Sequence, residues 1–291
     1  MTGPVLVTGG AGSLGKQVAG RLRAKGRTVR VFDLPGMDYT GLEGEEGIEV
    51  VKGDITQAVS VRQAVEGVSA VIHLAALLPP ASERDRGLTF AVNVEGTERL
   101  AEFLKRANPE APLVFSSSVS TYGDTTASEP PVTVECPQQA LDIYAESKIA
   151  AERHLREAYP NSVILRISGI SVPAFQEPPA VWPFMADQRI EFVHRDDVVA
   201  ALLASACVEE AKGSVFNIAG GPSWRTTGRS YVKDYYDLLG VPIEEAGFQD
   251  HPGWCDWYDT AESQRVLMYQ NTSYEAYLGQ LRAEVQRLVE G

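Results

Sequence analysis

Tyr144 and Lys148 stand four residues apart in the stretch YAESK. At that separation two side chains lie one above the other on a helix, and the chemistry open to a phenol and an ammonium so placed is proton transfer. A free phenol, with a pKa of about 10, is scarcely ionised at neutral pH. A cation fixed beside it favours the phenolate and lowers that value. Such a pair could take the proton from an alcohol as it becomes a carbonyl. The same spacing also arises by accident on ordinary helix surfaces, so the pair acquires meaning only from its surroundings.

A second chemical signal lies at the other end of the chain. TGGAGSLG, residues 8–15, follows an apolar run directly and opens an amphipathic one. Gly9 or Gly10, Gly12 and Gly15 supply the tight turn, the close approach to a pyrophosphate and the close meeting of helix and strand. Ser13 and Leu14 begin the helix, whose free amides would receive the phosphates. Asp33 comes eighteen residues after Gly15, where a carboxylate accepts hydrogen bonds from ribose hydroxyls and repels a 2′-phosphate. The cofactor expected is therefore NAD rather than NADP. In GDI, residues 53–55, Asp54 and Ile55 are placed to meet the adenine.

The elements that must position these residues alternate. PVLVTG, TVRVFD, IEVVKGD, AVIHLAA, PLVFSSS and SVILRIS read as strands, and nearly continuous Val, Ile and Leu suits strands buried on both faces. Between them, LGKQVAGRLRAKG, SVRQAVEG, FAVNVEGTERLAEFLKRA and LDIYAESKIAAERHLREAY carry apolar residues at helical spacing. The expected fold is α/β, a doubly wound parallel Rossmann sheet with a smaller, mostly helical C-terminal substrate lobe. The cofactor domain is assigned to residues 1–168, with 189–221 returning to it, and the lobe to 169–188 and 222–291. RIEFVH, DDVVAALLASA and SVFNIAGG carry the return.

Composition narrows the function classes. The 291 residues are 44% hydrophobic and carry a formal charge of −13, which opposes general attraction to nucleic acid or an anionic membrane. Cys136, Cys207 and Cys255 fit neither a disulfide framework nor a zinc site, and the four histidines are scattered, so no metal is expected. MTGPVLVTGG lacks the features of a secretory leader, and no run of about eighteen apolar residues is present. A cytoplasmic protein acting on a small molecule is the expectation.

Taken in order, TGGAGSLG, Asp33, GDI, HLAA, SSSVSTYG and YAESK resemble the extended short-chain dehydrogenase/reductase superfamily, the NAD-dependent epimerase/dehydratase group, over residues 3–221. The resemblance implies catalysis by Ser118, Tyr144 and Lys148, with Ser116 and Ser117 as competitors for the serine's part. Ser118 is favoured because it precedes the tyrosine by twenty-six residues. In this reading Ser118 stabilises the substrate oxygen and Lys148 also holds the nicotinamide ribose. Leu74, Ala75, Ala76, Leu77 and Ser116 line the cofactor, and Asn93 is placed with the cofactor-binding residues as a support of the site. A homodimer through paired helices is also implied, with exposed apolar positions on the YAESK helix compatible with it.

Departures from the family pattern narrow the activity. Dehydratases carry Thr-Asp-Glu where this chain reads SVSTYGD, and nucleotide-sugar epimerases place an Asn where LRISGISVP offers Ser168 and Gly169. Arg189, Arg195 and Arg225 are the candidates for a diphosphate. Trp254, Trp257 and Tyr258 are candidates to roof a pocket, Asp259 and Thr260 to start a helix, and residues 77–87 to form a substrate gate. The leading expectation is an NAD-dependent oxidoreductase acting on a secondary alcohol or ketone of a sugar-like or polyhydroxylated substrate. A nucleotide-sugar epimerase that retains NAD is the alternative. A non-catalytic NAD-binding regulator comes third, opposed by the intact Ser, Tyr and Lys set.

Overall fold

The structure is a computed structural model that describes residues 3–290. The chain runs through β1 (Val5–Thr8), α1 (Ser13–Ala24), β2 (Val29–Asp33), β3 (Ile48–Lys52), α2 (Ala58–Val65) and β4 (Ala70–His73). It continues through α3 (Arg86–Phe90), α4 (Gly96–Ala107), β5 (Leu113–Ser118), α5 (Ile143–Ala158) and β6 (Ser162–Ile167). Three short strands follow, β7 (Ile170–Ser171), β8 (Arg189–Glu191) and β9 (Val193–His194), then α6 (Arg195–Ser205) and β10 (Val215–Ile218). The last elements are β11 (Arg225–Thr227), α7 (Gly228–Leu239), α8 (Ala261–Leu267) and α9 (Tyr274–Glu290).

Seven strands form one sheet in the order β10-β6-β5-β4-β1-β2-β3, and every pairing in it is parallel. This is a Rossmann-type α/β fold. The order reverses between β1 and β4, and in such sheets the crevice for ligands opens there, beyond the carboxyl ends of the strands. Alternation along each strand feeds two cores. Val5 and Val7 pack with Val18, Leu22, Val198 and Leu202 on the side of α1 and α6. Leu6 faces the opposite way, joining Val61, Leu100, Leu104 and Leu155 of α2, α4 and α5. A third, aromatic core gathers Phe184, Trp224, Tyr231, Tyr235 and Tyr277 around α7 and α9.

The structure departs from the sequence expectations in several places. RIEFVH does not join the main sheet: β8 pairs antiparallel with β11, and β9 pairs parallel with β7. The reason is that the free edge of β6 is taken by β10. Strand β4 stops at His73, three residues short of the expected end, and Leu74–Leu78 leave as loop. The long helix expected over 90–107 is interrupted by a wider, π-type turn at Ala91–Glu95. Helix α8, assigned with the lobe, packs against α6 and β10, and its Val266 and Leu267 enter the core of the main sheet. On α5 the exposed positions include Arg153, Arg156 and Glu157, while Ile143 and Ile149 are half-buried. That face is more polar than the dimer reading supposed. No helix among the described residues is long and apolar enough to cross a membrane.

Helix α1 packs closely on the turn that follows β1. A Cβ on Gly15 would fall 2.2 Å from the carbonyl oxygen of Gly9, and Gly9 itself has a φ of +67°. Gly20, on the same helix, would place a Cβ with nothing within 4 Å. Gly15→Ala should therefore destabilise the protein by about 1–3 kcal/mol and weaken nucleotide binding. Gly20→Ala should be neutral or stabilising by about 0.5–1 kcal/mol. Thermal unfolding of the two variants side by side checks the contrast, and equal midpoints would contradict it.

Candidate active site

A cavity of about 880 Å³ runs along the carboxyl edge of the sheet. At one end the glycine turn contributes Gly9, Gly12, Ser13, Leu14 and Gly15, and the ends of β2 and β3 contribute Asp33, Leu34, Asp54 and Ile55. At the other lie Leu74, Ala75 and Ala76 after β4, Ser116–Ser118 at the end of β5, and Tyr144 on α5. The fold thus brings nearly all the sequence-predicted residues to one cleft.

Two of them are placed differently. Asn93 is buried within the π-type turn, and its side chain is spent on structure: Oδ1 accepts from Leu77 N at 2.7 Å, and Nδ2 donates to Leu77 O and Ser147 Oγ, each at 3.0 Å. It is not among the cavity-lining residues, which corrects its assignment to cofactor contact. It ties the loop after β4 to α5. Lys148 is also fully buried, beneath the cavity floor, with Nζ donating to the carbonyl of Ser116 at 2.7 Å and lying 4.7 Å above the Phe115 ring.

At the cofactor end, both oxygens of Asp33 accept backbone amides, Ala11 N at 3.0 Å and Leu34 N at 2.8 Å. The carboxylate is thereby oriented across the mouth of the glycine turn, with lone pairs left for hydroxyl donors. Asp54 accepts from Thr56 N at 2.8 Å, which shapes the loop under Ile55. Arg195, first residue of α6, lines the cavity and lies 3.2 Å from its neighbour Asp196. Helix α6 packs against α1, and Asp196 reaches Arg21 in the last turn of α1 at 3.7 Å. A pyrophosphate flanked by an acid for ribose hydroxyls and by the exposed Leu34 and Met37 for a flat base is the ligand this end fits.

The hydride end is organised by hydrogen bonds. Ser118 Oγ accepts from Ser120 N at 3.1 Å, which leaves its proton free to point at a ligand oxygen. Ser117 cannot compete, because its hydroxyl donates to the buried carboxylate of Glu152. That carboxylate also receives Gln138 Nε2 at 2.9 Å and Arg166 Nη2 at 2.7 Å. Arg166 in turn donates to Tyr122 Oη and Val134 O, each at 2.9 Å. Helix α5 starts with Asp142 capping Ala145 N at 2.7 Å. Glu83, which sequence reasoning missed, accepts the amides of Ile143 at 2.9 Å and Tyr144 at 3.1 Å. No spacing signals such a contact, since the two segments lie 60 residues apart.

The electrostatics reverse the sequence expectation for the pair. Burial, with Asp142 adding to it, pushes the Tyr144 phenol up rather than down. Burial pushes Lys148 down to about 7, against the pull of Glu152. The ammonium is 5.6 Å from the centre of the Tyr144 ring and bonded elsewhere, so desolvation outweighs its attraction for a phenolate. His73 is a structural residue: burial pushes it down to about 3, and its ring nitrogens meet Thr8 Oγ1 at 2.6 Å and Thr97 Oγ1 at 2.9 Å.

Other candidates sort by contact. Trp254 lines the cavity, whereas Tyr258 is buried with its hydroxyl donating to Trp254 O, and Trp257 donates to Thr226 O. Of residues 77–87, Leu77 and Leu78 line the cavity. Asp259 accepts from Ala261 N at 3.0 Å at the start of α8, where Thr260 makes no side-chain cap.

Comparison with known proteins agrees with this geometry. Residues 5–177 match the sequence model of the NAD dependent epimerase/dehydratase family. A 3 beta-hydroxysteroid dehydrogenase/Delta 5-->4-isomerase of Mycobacterium tuberculosis is 37% identical over 157 residues, covering 52% of this chain and 41% of that protein. A D-erythronate dehydrogenase of Cupriavidus necator is 31% identical over 182 residues, covering 58% of this chain and 55% of that one. The chain spans about half the length of these curated relatives. Among solved structures, a short-chain dehydrogenase/reductase superfamily protein from Agrobacterium tumefaciens with bound NAD is 26% identical, with a TM-score of 0.80 and 98% of each chain covered. MoeE5 in complex with UDP-glucuronic acid and NAD is 25% identical, with a TM-score of 0.81, covering 98% of this chain and 100% of that one.

The depressed Lys148 value has a measurable consequence without any ligand. The unfolded chain holds this proton up to about pH 10.4, while the folded chain releases it near 7. Between those values the unfolded state binds more protons, so stability rises with pH, and the penalty for burying Lys148 is full below pH 7. Urea unfolding should show that the stability of wild type relative to Lys148→Met increases from pH 7 to pH 9.5. A constant difference would contradict the assignment.

Proposed function

The chain belongs to the NAD dependent epimerase/dehydratase family, and on that premise we propose that it is an NAD-dependent oxidoreductase transferring a hydride at a secondary alcohol or ketone. The observation that carries this reading is the single cavity lined by the glycine turn and Asp33 at one end and by Ser118 and Tyr144 at the other. When bound, NAD supplies the hydride acceptor. The chain's own residues handle the oxygen and the proton. Ser118 donates its free proton to the substrate oxygen as negative charge develops there, and Tyr144 takes the hydroxyl proton during oxidation or returns it during reduction. Lys148, one turn from Tyr144, is held by burial near the boundary between its charged and neutral forms and donates to Ser116 O. Asp33 receives the adenosine ribose.

A phenol held above its ordinary pKa stays protonated at neutral pH, so the proton-donating form is abundant and the phenolate base is scarce. Alcohol oxidation should therefore climb with pH through the neutral and alkaline range, while ketone reduction should not depend on loss of that proton. The three free cysteines, Cys136, Cys207 and Cys255, support placement in a reducing compartment, and we assign the cytoplasm. A homodimer is proposed from family analogy alone; a light-scattering mass of one chain would dismiss it.

Tyr144→Phe should keep NAD affinity, measured by calorimetry, and lose about 10²–10⁴-fold in turnover; undiminished turnover would sink the mechanism. Asp33→Ala should narrow the ratio of NAD to NADP affinity. A wild-type enzyme already preferring NADP would refute the role given to Asp33.

A further inference from the structure

Resting on that reading, we propose that the substrate is a predominantly apolar, alicyclic secondary alcohol or its ketone, free of any nucleotide carrier. Two independent observations point there. The first is the wall around Ser118 and Tyr144, built from Leu77, Leu78, Leu88, Ile170, Val172 and Trp254. Leu78, Leu88 and Ile170 are 56%, 52% and 40% exposed within this cleft. Large aliphatic side chains left wet in a concave site mark a surface that an apolar ligand covers.

The polar side chains at that end are few: Ser118 and Tyr144, with the Ser116 hydroxyl and the Trp254 indole beside them. Ser118 and Tyr144 both converge on one substrate oxygen in the proposed reaction. Ser168 Oγ is buried and donates to Glu191 O, and Ser117 to Glu152. The further hydroxyls of a sugar would leave water for hydrocarbon and lose their hydrogen bonds, at about 1–3 kcal/mol each. The sugar-like substrate expected from sequence is set aside on this ground.

The second observation concerns charge. A nucleotide diphosphate needs cations at the substrate end, and the candidates are committed. Arg189 holds the buried Asp256 through two bonds, of 2.6 and 3.0 Å. Arg225 holds the buried Glu191 at 3.0 Å and donates to Tyr258 O at 2.8 Å. Releasing either would strand a buried carboxylate. Arg195, the cationic residue that lines the cavity, is paired with the neighbouring carboxylate of Asp196 at 3.2 Å.

The test uses the full chain with NAD. Menthol and cyclohexanol, xylitol and sorbitol, and UDP-glucose are offered in turn, with NADH formation and sugar epimerisation both followed; menthol and UDP are separately titrated into the NAD complex by calorimetry. The expected result is NADH from the alicyclic alcohols at least about tenfold more efficiently than from the polyols, heat from menthol and none from UDP. Leu88→Asn should raise the KM for menthol several-fold and leave NAD affinity unchanged. More NADH from polyols or from UDP-glucose, or tight UDP binding, would overturn the proposal while leaving the oxidoreductase reading intact, whereas epimerisation of UDP-glucose without NADH would overturn both. Menthol binding with no NADH from any alcohol would support the apolar pocket and sink the oxidoreductase reading instead. No menthol binding, alongside polyol turnover, would sink only the apolar pocket.

Discussion

The buried ion pair between Glu152 and Arg166 is the contact on which the site's geometry rests. Their side chains are 2% and 3% exposed, so both charges have left water at considerable cost, and removing one partner alone would cost about 3–5 kcal/mol. The arrangement is tolerable because every donor and acceptor is used, through Ser117, Gln138, Tyr122 and Val134. Its effect is to lock one position of α5 against β5 and β6. Glu152 lies one helical turn beyond Lys148, which lies one turn beyond Tyr144. Fixing Glu152 therefore fixes the height and rotation of Lys148 and Tyr144 on the same helix. The same contact consumes the hydroxyl of Ser117 and leaves Ser118 to serve the ligand.

A second set of contacts fixes α5 at its other end. Glu83 receives the first two amides of the helix, Asp142 receives the third, and Arg86 reaches Glu146. Asn93 binds Leu77 and Ser147. The loop after β4, which supplies Leu77 and Leu78 to the cavity wall, is thereby attached to the helix that carries Tyr144. Pocket wall and Tyr144 are thus tied together by direct hydrogen bonds rather than left on loosely held loops.

Burial sets the protonation states. Raising Tyr144 and lowering Lys148 both follow from withdrawing water, and both favour the neutral side chains. The committed arginines have the same consequence for ligand choice: Arg189 and Arg225 stabilise buried acids and are not available to a phosphate. The cavity thus combines an end formed by the glycine turn and Asp33 with an end walled largely by Leu77, Leu78, Leu88, Ile170 and Val172.

Much of this was legible in the sequence, for definite reasons. Alternating apolar runs define parallel strands because both faces of such a sheet are covered, and the glycine turn and Asp33 are local features whose spacing follows from one strand, one turn and one helix. Tyr144, Lys148 and the three serines were likewise readable from short stretches. What the sequence could not determine were contacts made across the fold: Glu83 on the helix start, Asn93 turned to structure rather than cofactor, β8 and β9 excluded from a sheet whose edge β10 occupies, and α8 packed under the main sheet. Nor could spacing reveal that Lys148 points at Ser116 O or that Arg189 and Arg225 are paired. Local periodicity depends on neighbours in the chain, whereas desolvation and charge pairing depend on residues well beyond them, from 14 positions for Glu152 and Arg166 to 67 for Arg189 and Asp256, and only the tertiary structure brings those together.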